Sequence, residues 1–183
     1  MDWIFNGLPL HILIVHFVVI VVPLAALCVV LTAAWPTARR RLGIVTPLVA
    51  LAALISVPIA TQAGEALEEQ VNETALSELH THLGKDLLPW AIALFAVAVL
   101  QWIWFRYFTG TGSLAGRITS HPLRLGITIA LIVAAAVSVV GSSYYVFVIG
   151  ESGARATWSN VGNAPSTGNG DNSGDSDSDS DSN

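Results

Sequence analysis

Four long stretches of this chain contain no Asp, Glu, Lys or Arg, and this feature constrains the fold more than any other. They cover residues 8–35, 42–64, 87–105 and 125–150. Each stretch approaches or exceeds the roughly 20 apolar residues that a helix needs to cross a bilayer. None shows the alternation of polar and apolar positions that is typical of membrane-barrel strands. The sequence therefore predicts an all-α, polytopic membrane protein whose four transmembrane helices form a compact antiparallel bundle.

The low content of charge argues against other classes of protein. Only 11% of the 183 residues are charged, whereas an average soluble domain has roughly 25%. A surface with so few charges suits lipid better than water, so water-soluble enzymes and nucleic-acid-binding proteins are poor candidates. We expect the partner to be the lipid bilayer, and we expect no nucleic acid.

The few charges are divided unequally between the connections. Six arginines lie in the first and third connections between spans, namely Arg39, Arg40, Arg41, Arg106, Arg117 and Arg124. All thirteen Asp and Glu residues lie before the first span, between the second and third spans, or after the fourth. Because basic connections stay on the cytoplasmic side, we expect a multi-pass protein of the cell membrane with both termini on the extracytoplasmic side.

Two regions outside the spans have their own patterns. Residues 65–83 combine acidic and apolar positions in the spacing of an amphipathic helix, which predicts a segment that caps the outer face. With it, residues 1–158 make up the four-span membrane domain. Residues 159–183 are rich in Ser, Gly, Asn and Asp and lack basic and aromatic residues, a composition that predicts a disordered acidic tail.

Histidines and carboxylates from every span gather at the predicted outer membrane level. His16 is the most informative of them, because helical geometry places it roughly 10 Å inside the first span, where an imidazole needs a polar partner. Helical spacing favours His16, Glu65 and His80 as the converging set. The candidate metal ligands are His11, His16, Glu65, Glu69, His80 and Glu151, and the candidate cofactor-binding residues are His16 and His80.

Three interpretations of this site remain open. Imidazoles and carboxylates are proper ligands for a transition metal such as zinc, copper or iron. Two histidines from different helices can also occupy the axial positions of a haem b. In the third interpretation the histidines and glutamates form a purely structural network of hydrogen bonds between the helices.

The sequence contains no nucleophile elbow, phosphate-binding loop or zinc-protease helix. No reaction is therefore assigned, and a non-enzymatic role is favoured. The first hypothesis is a small membrane protein whose outward-facing site binds a transition metal or haem for electron transfer or metal handling. The alternative is a structural or accessory subunit that packs on a membrane-protein partner or forms a homo-oligomer.

Residues 7–17 read Gly-Leu-Pro-Leu-His-Ile-Leu-Ile-Val-His-Phe. This segment resembles the opening motif of the integral-membrane domain-of-unknown-function family 2231, G-x-P-x-H-x-x-x-V-H-F. Weaker matches occur at Gly64-Glu65 and at residues 80–84. The resemblance implies four membrane helices and a shared polar site, and it strengthens the metal or haem interpretation. One departure is Glu151 at a position where that family often has His, which weakens a haem model that uses this position.

Overall fold

Helices make up nearly all of the described chain. The computed structural model describes residues 4–5, 8–68, 75–109, 112–114, 116–118 and 120–158, and it describes side chains from residue 13 to 66 and from residue 83 to 155 with the same internal gaps. The helices are α1 (Leu10–Ala34), α2 (Pro36–Leu42), α3 (Val45–Glu68), α4 (Ala75–Ile103) and α5 (His121–Trp158). A π-helical turn, Trp104–Phe108, continues α4. Before α1, the two-residue strands β1 (Ile4–Phe5) and β2 (Leu8–Pro9) pair in an antiparallel ladder.

Four of these helices are long and apolar enough to cross a membrane. The candidate spans are Leu13–Ala34, Val45–Ala66, Leu83–Phe108 and His121–Arg155. The predicted helical class and the predicted number of spans are confirmed for the described part of the chain, and the short ladder is the one departure there. The predicted tail at 159–183 lies outside the described residues.

Three of the helices, α3, α4 and α5, extend beyond the apolar runs that predicted them. Because α3 continues to Glu68 and α4 begins at Ala75, residues 65–68 and 75–83 of the expected capping segment are the ends of two long helices. Residues 69–74 of that segment lie outside the described residues. The limit of an apolar run marks where charge begins, whereas a helix continues for as long as its backbone hydrogen bonds can form.

A short helix separates the first two spans. Pro36 occupies the first position of α2, and Trp35 before it is extended, with φ −122° and ψ 112°. Proline disfavours helical backbone in the residue that precedes it, which ends α1 at Ala34. At the other end of α2, Gly43 adopts φ +44°, a backbone conformation that suits glycine best. The chain therefore turns on both sides of a fixed seven-residue helix.

The core lies among the four long helices. α1 contacts α3 and α5, and α4 contacts the same two helices. The most buried apolar residues of the core are Val22, Ala25 and Val29 of α1, Ala50, Ala53 and Val57 of α3, Ala91, Leu94 and Ala98 of α4, and Ala135 of α5. Small residues dominate this set, and small side chains let helices approach closely where lipid gives no hydrophobic drive for their association.

Three polar contacts join spans that follow one another along the chain. Thr32 and Thr46 share a hydrogen bond of 3.1 Å between α1 and α3. Lys85 of α4 lies 2.8 Å from the carboxylate of Glu65 in α3. The indole Nε1 of Trp104, in the π-helical turn that continues α4, donates to Thr128 in α5 at 3.1 Å. Each contact therefore connects two successive spans.

Candidate functional site

Apart from Glu69, which lies outside the described residues, the candidate site residues lie at one end of the helices, which we call the histidine end and define as residues 10–16, 65–68, 75–86 and 150–158. The start of α1, the end of α3, the start of α4 and the end of α5 belong to this end. The ion pair of Glu65 with Lys85 joins α3 to α4. The rings of Trp90 and Tyr145, 6.2 Å apart, join α4 to α5 close by.

Two of the predicted ligands, Glu65 and Glu151, are already engaged in ion pairs. Glu65 is half-buried and binds Lys85. Glu151 is exposed and accepts a hydrogen bond of 2.5 Å from Arg155, one turn further along α5. An ion pair of this exposed kind contributes little to stability, so either carboxylate can exchange its partner at small energetic cost.

His16 lies on the outward face of α1. Its side chain is exposed, as are Leu13, Ile20 and Leu24 on the same line of the helix. The buried face of α1 passes instead through Val18, Val22, Ala25 and Val29. The structure therefore does not bring His16 onto the face of α1 that packs against the other helices.

His11 occupies the register of the buried face. It lies seven residues before Val18, and the same spacing leads on through Ala25 to Thr32, all three of them buried. Positions seven apart are separated by two helical turns and share a face. The side chain of His11 is not among the described ones, so only its position in α1 is known.

His80 occupies the equivalent register in α4. Leu87, Leu94 and Gln101 follow it at intervals of seven residues, and all three are buried. Its side chain, like that of His11, is outside the description. His11 therefore lies in register with the buried line of α1, and His80 lies in register with the buried line of α4.

The described residues contain no group of three or more His, Cys, Asp or Glu side chains that could hold a metal ion. His16, Glu65 and Glu151 are among these residues, whereas Glu69 and the side chains of His11 and His80 lie outside the description. Glu65 and Glu151 form ion pairs with Lys85 and Arg155. Of the predicted ligands, His11 and His80 are the two histidines in the buried register.

The opposite end of the helices carries the arginines, and we call residues 34–45 and 101–124 the arginine end. Arg39 is the anchor of this end. Its Nε donates to the carbonyl of Thr32 at 2.6 Å, and its Nη2 donates to the carbonyl of Ala33 at 2.5 Å. Its guanidinium also lies 3.7 Å above the ring of Phe105. Burial lowers the pKa of this guanidinium from its ordinary value, although arginine stays protonated at neutral pH.

Gln101 is a buried polar residue that the sequence pattern did not single out. Its side chain is 0% exposed, and neither amide atom has a hydrogen-bond partner within the described part of the chain. An unpaired amide in an apolar interior carries a free-energy cost of about 1–3 kcal/mol. In the sequence, Gln101 is recognisable only as a lone glutamine inside the apolar run 87–105. The sequence does not indicate which side of the helix this residue occupies.

No similar protein was found in comparisons with protein-family models, with curated proteins or with solved structures.

Proposed function

We propose that this chain is a four-span membrane protein that binds a transition metal or a haem b through His11 and His80 at its histidine end. The observation that carries the proposal is the shared register. His11 begins the line that continues through Val18 and Ala25, and His80 begins the line that continues through Leu87 and Leu94. A histidine on a line that is buried further along the helix needs a hydrogen-bond partner or a bound metal, because an unpaired polar side chain in an apolar interior is costly.

Imidazole chemistry supports both kinds of ligand. Neutral imidazole binds zinc, copper and iron, and two imidazoles from different helices suit the axial positions of haem. Bound copper, iron or haem supplies one-electron redox chemistry, which suits a role in electron transfer, whereas bound zinc suits metal handling. The chain itself contributes the two ligands. Glu65 lies near the end of α3, and Glu69 follows it in the sequence.

The proposal also includes the orientation of the protein. We propose a compact antiparallel bundle in the cell membrane, with the histidine end and both termini on the extracytoplasmic side. The distribution of charge supports this orientation, because residues 3–64 and 87–150 contain six arginines and no acidic residue. We also propose that the chain is related to family 2231, because residues 7–17 match the opening motif of that family.

Metal analysis and visible spectroscopy of detergent-purified protein test the binding directly. We expect about one equivalent of zinc, copper or iron for each chain, or a Soret band, in the wild-type protein. His11→Gln and His80→Gln should each remove the metal or the band, because glutamine retains size and polarity but is not a usual ligand. His16→Gln is the matched control on the same helix, and it should retain the ligand.

Two results would contradict the proposal. A wild-type protein with neither stoichiometric metal nor a Soret band has no such site. Equal loss of ligand in the His16 and His11 variants would show that the buried register of α1 does not distinguish the ligand from the other histidine. Thermal unfolding of every variant in detergent separates a lost ligand from a lost fold.

A second candidate function is a structural or accessory subunit, and the ion pairs favour it. Glu65 and Glu151, two of the predicted ligands, have the partners that a structural network would give them. Under this interpretation the protein associates with a membrane-protein partner or with a second copy through the outward faces of its helices. Co-purification of a stoichiometric partner, together with a metal-free and haem-free preparation, distinguishes it from the first proposal.

A further inference from the structure

The arginine end presents positive charge without any acidic counterpart in the neighbouring sequence. Its six arginines occur in segments 3–64 and 87–150, which contain no Asp or Glu. Guanidinium groups bind phosphate oxygens through paired hydrogen bonds better than they bind most other groups. The end is therefore suited to anionic groups that carry phosphate.

Within this end, α2 is held in place by one of its three consecutive arginines. Arg39 faces inward, where it binds the last carbonyls of α1 and stacks on Phe105 of the π-helical turn. Arg40 and Arg41 are exposed. Arg39 thus fixes α2 against α1 and against the π-helical turn that continues α4. Arg40 and Arg41 place their charges on a helix whose position is fixed by Arg39.

Exposed apolar side chains follow these two charges along the chain. Ile44 and Leu48 are one helical turn apart, joined by the backbone hydrogen bond from Leu48 N–H to the Ile44 carbonyl at 3.2 Å. Both side chains are more than half exposed, as is Ile55 two turns further along α3. Trp35, on the other side of α2, is also more than half exposed, and tryptophan favours the level of the lipid headgroups.

We propose that α2 and the first half of α3 bind one anionic phospholipid, with its phosphate on Arg40 and Arg41 and an acyl chain along Ile44, Leu48 and Ile55. The charge selects an anionic headgroup. The apolar line that begins within a few residues of that charge selects a lipid over a soluble phosphate, a nucleic acid or an acidic protein, because only a lipid fills both parts of the surface. This site lies at the opposite end from the histidines and does not depend on a metal or haem.

Native mass spectrometry of the detergent-purified protein, titrated with phosphatidylglycerol or phosphatidylcholine, tests the proposal. We expect a discrete one-to-one complex with phosphatidylglycerol and markedly less binding of phosphatidylcholine. Arg40→Gln/Arg41→Gln should weaken the phosphatidylglycerol complex on the order of tenfold or more, since each basic residue near an anionic surface contributes about fivefold. Glycerol 3-phosphate at millimolar concentration should not displace the lipid, because it lacks the acyl chains.

The matched control is Arg106→Gln/Arg117→Gln, which removes two exposed charges from the same end but not from α2. It should leave the complex nearly unchanged. Equal weakening by the two double variants would overturn the proposal, because it would show a diffuse attraction to positive charge instead of a site on α2. Displacement by glycerol 3-phosphate, or equal binding of both lipids, would also overturn it. Unchanged thermal unfolding of both variants confirms that the comparison is made between folded proteins.

Discussion

Gln101 carries a carboxamide in the interior of α4, with no partner for either of its polar atoms among the described residues. We predict that Gln101→Met, which keeps the length of the side chain and removes its polar atoms, raises the free energy of unfolding by about 1–3 kcal/mol. Thermal unfolding in detergent measures the change. Gln62→Met is the control, because Gln62 is exposed on α3 and its replacement should have little effect. A less stable Gln101→Met protein would mean that the amide has a partner that stabilises the fold.

The choice between His11 and His16 shows what a residue pattern can and cannot predict. The sequence indicated that histidines and glutamates collect at one level, and the depth of His16 made it the leading candidate. The residues of α1 are apolar on all sides, so the pattern contains no stripe that would distinguish an inward face from a lipid-facing one. The inward face depends on where α3 and α5 pack. The burial of Val18 and Ala25 shows that face, and His11 shares its register.

At the scale of elements, α4 and α5 are in close contact where Gly141 meets Trp90. A Cβ atom at Gly141 would overlap atoms of the indole ring of Trp90. We predict that Gly141→Ala destabilises the protein by about 1–3 kcal/mol, because the ring or the helix must move to make room. Chemical or thermal unfolding in detergent provides the measurement.

The control for this substitution lies on the same helix. Gly126 in α5 has no described neighbour within 4 Å of an added Cβ, so Gly126→Ala should be neutral or slightly stabilising through its higher helix propensity. If both variants were equally stable, the close contact between α4 and α5 would not exist in the folded protein.

The elements themselves were predictable to different degrees. The four uncharged runs predicted four spans, because the need for about 20 apolar residues is a property of the bilayer. The ends of the helices were not predictable from hydropathy, since α3, α4 and α5 continue through charged residues such as Glu65, Lys85 and Arg155. The π-helical turn at 104–108, in which Trp104 is buried, has no signature in the local sequence.

At the scale of the whole molecule, the proposals assign different environments to the two ends. The histidine end contains the predicted metal or haem ligands and the acidic residues that adjoin the spans. The arginine end contains the anchored helix α2 and the proposed lipid site. The proposed orientation places the first end outside the cell and the second in the cytoplasm, because basic connections are retained on the cytoplasmic side.

Labelling of intact cells with a membrane-impermeant maleimide tests this orientation. In a Cys28→Ala background, which removes the only native thiol, single cysteines are placed at two exposed positions, Ala154 at the histidine end and Ser113 at the arginine end. With this orientation, we predict that Ala154→Cys is labelled in intact cells and that Ser113→Cys is labelled only after the membrane is permeabilised. Labelling of Ser113→Cys but not Ala154→Cys in intact cells would contradict it.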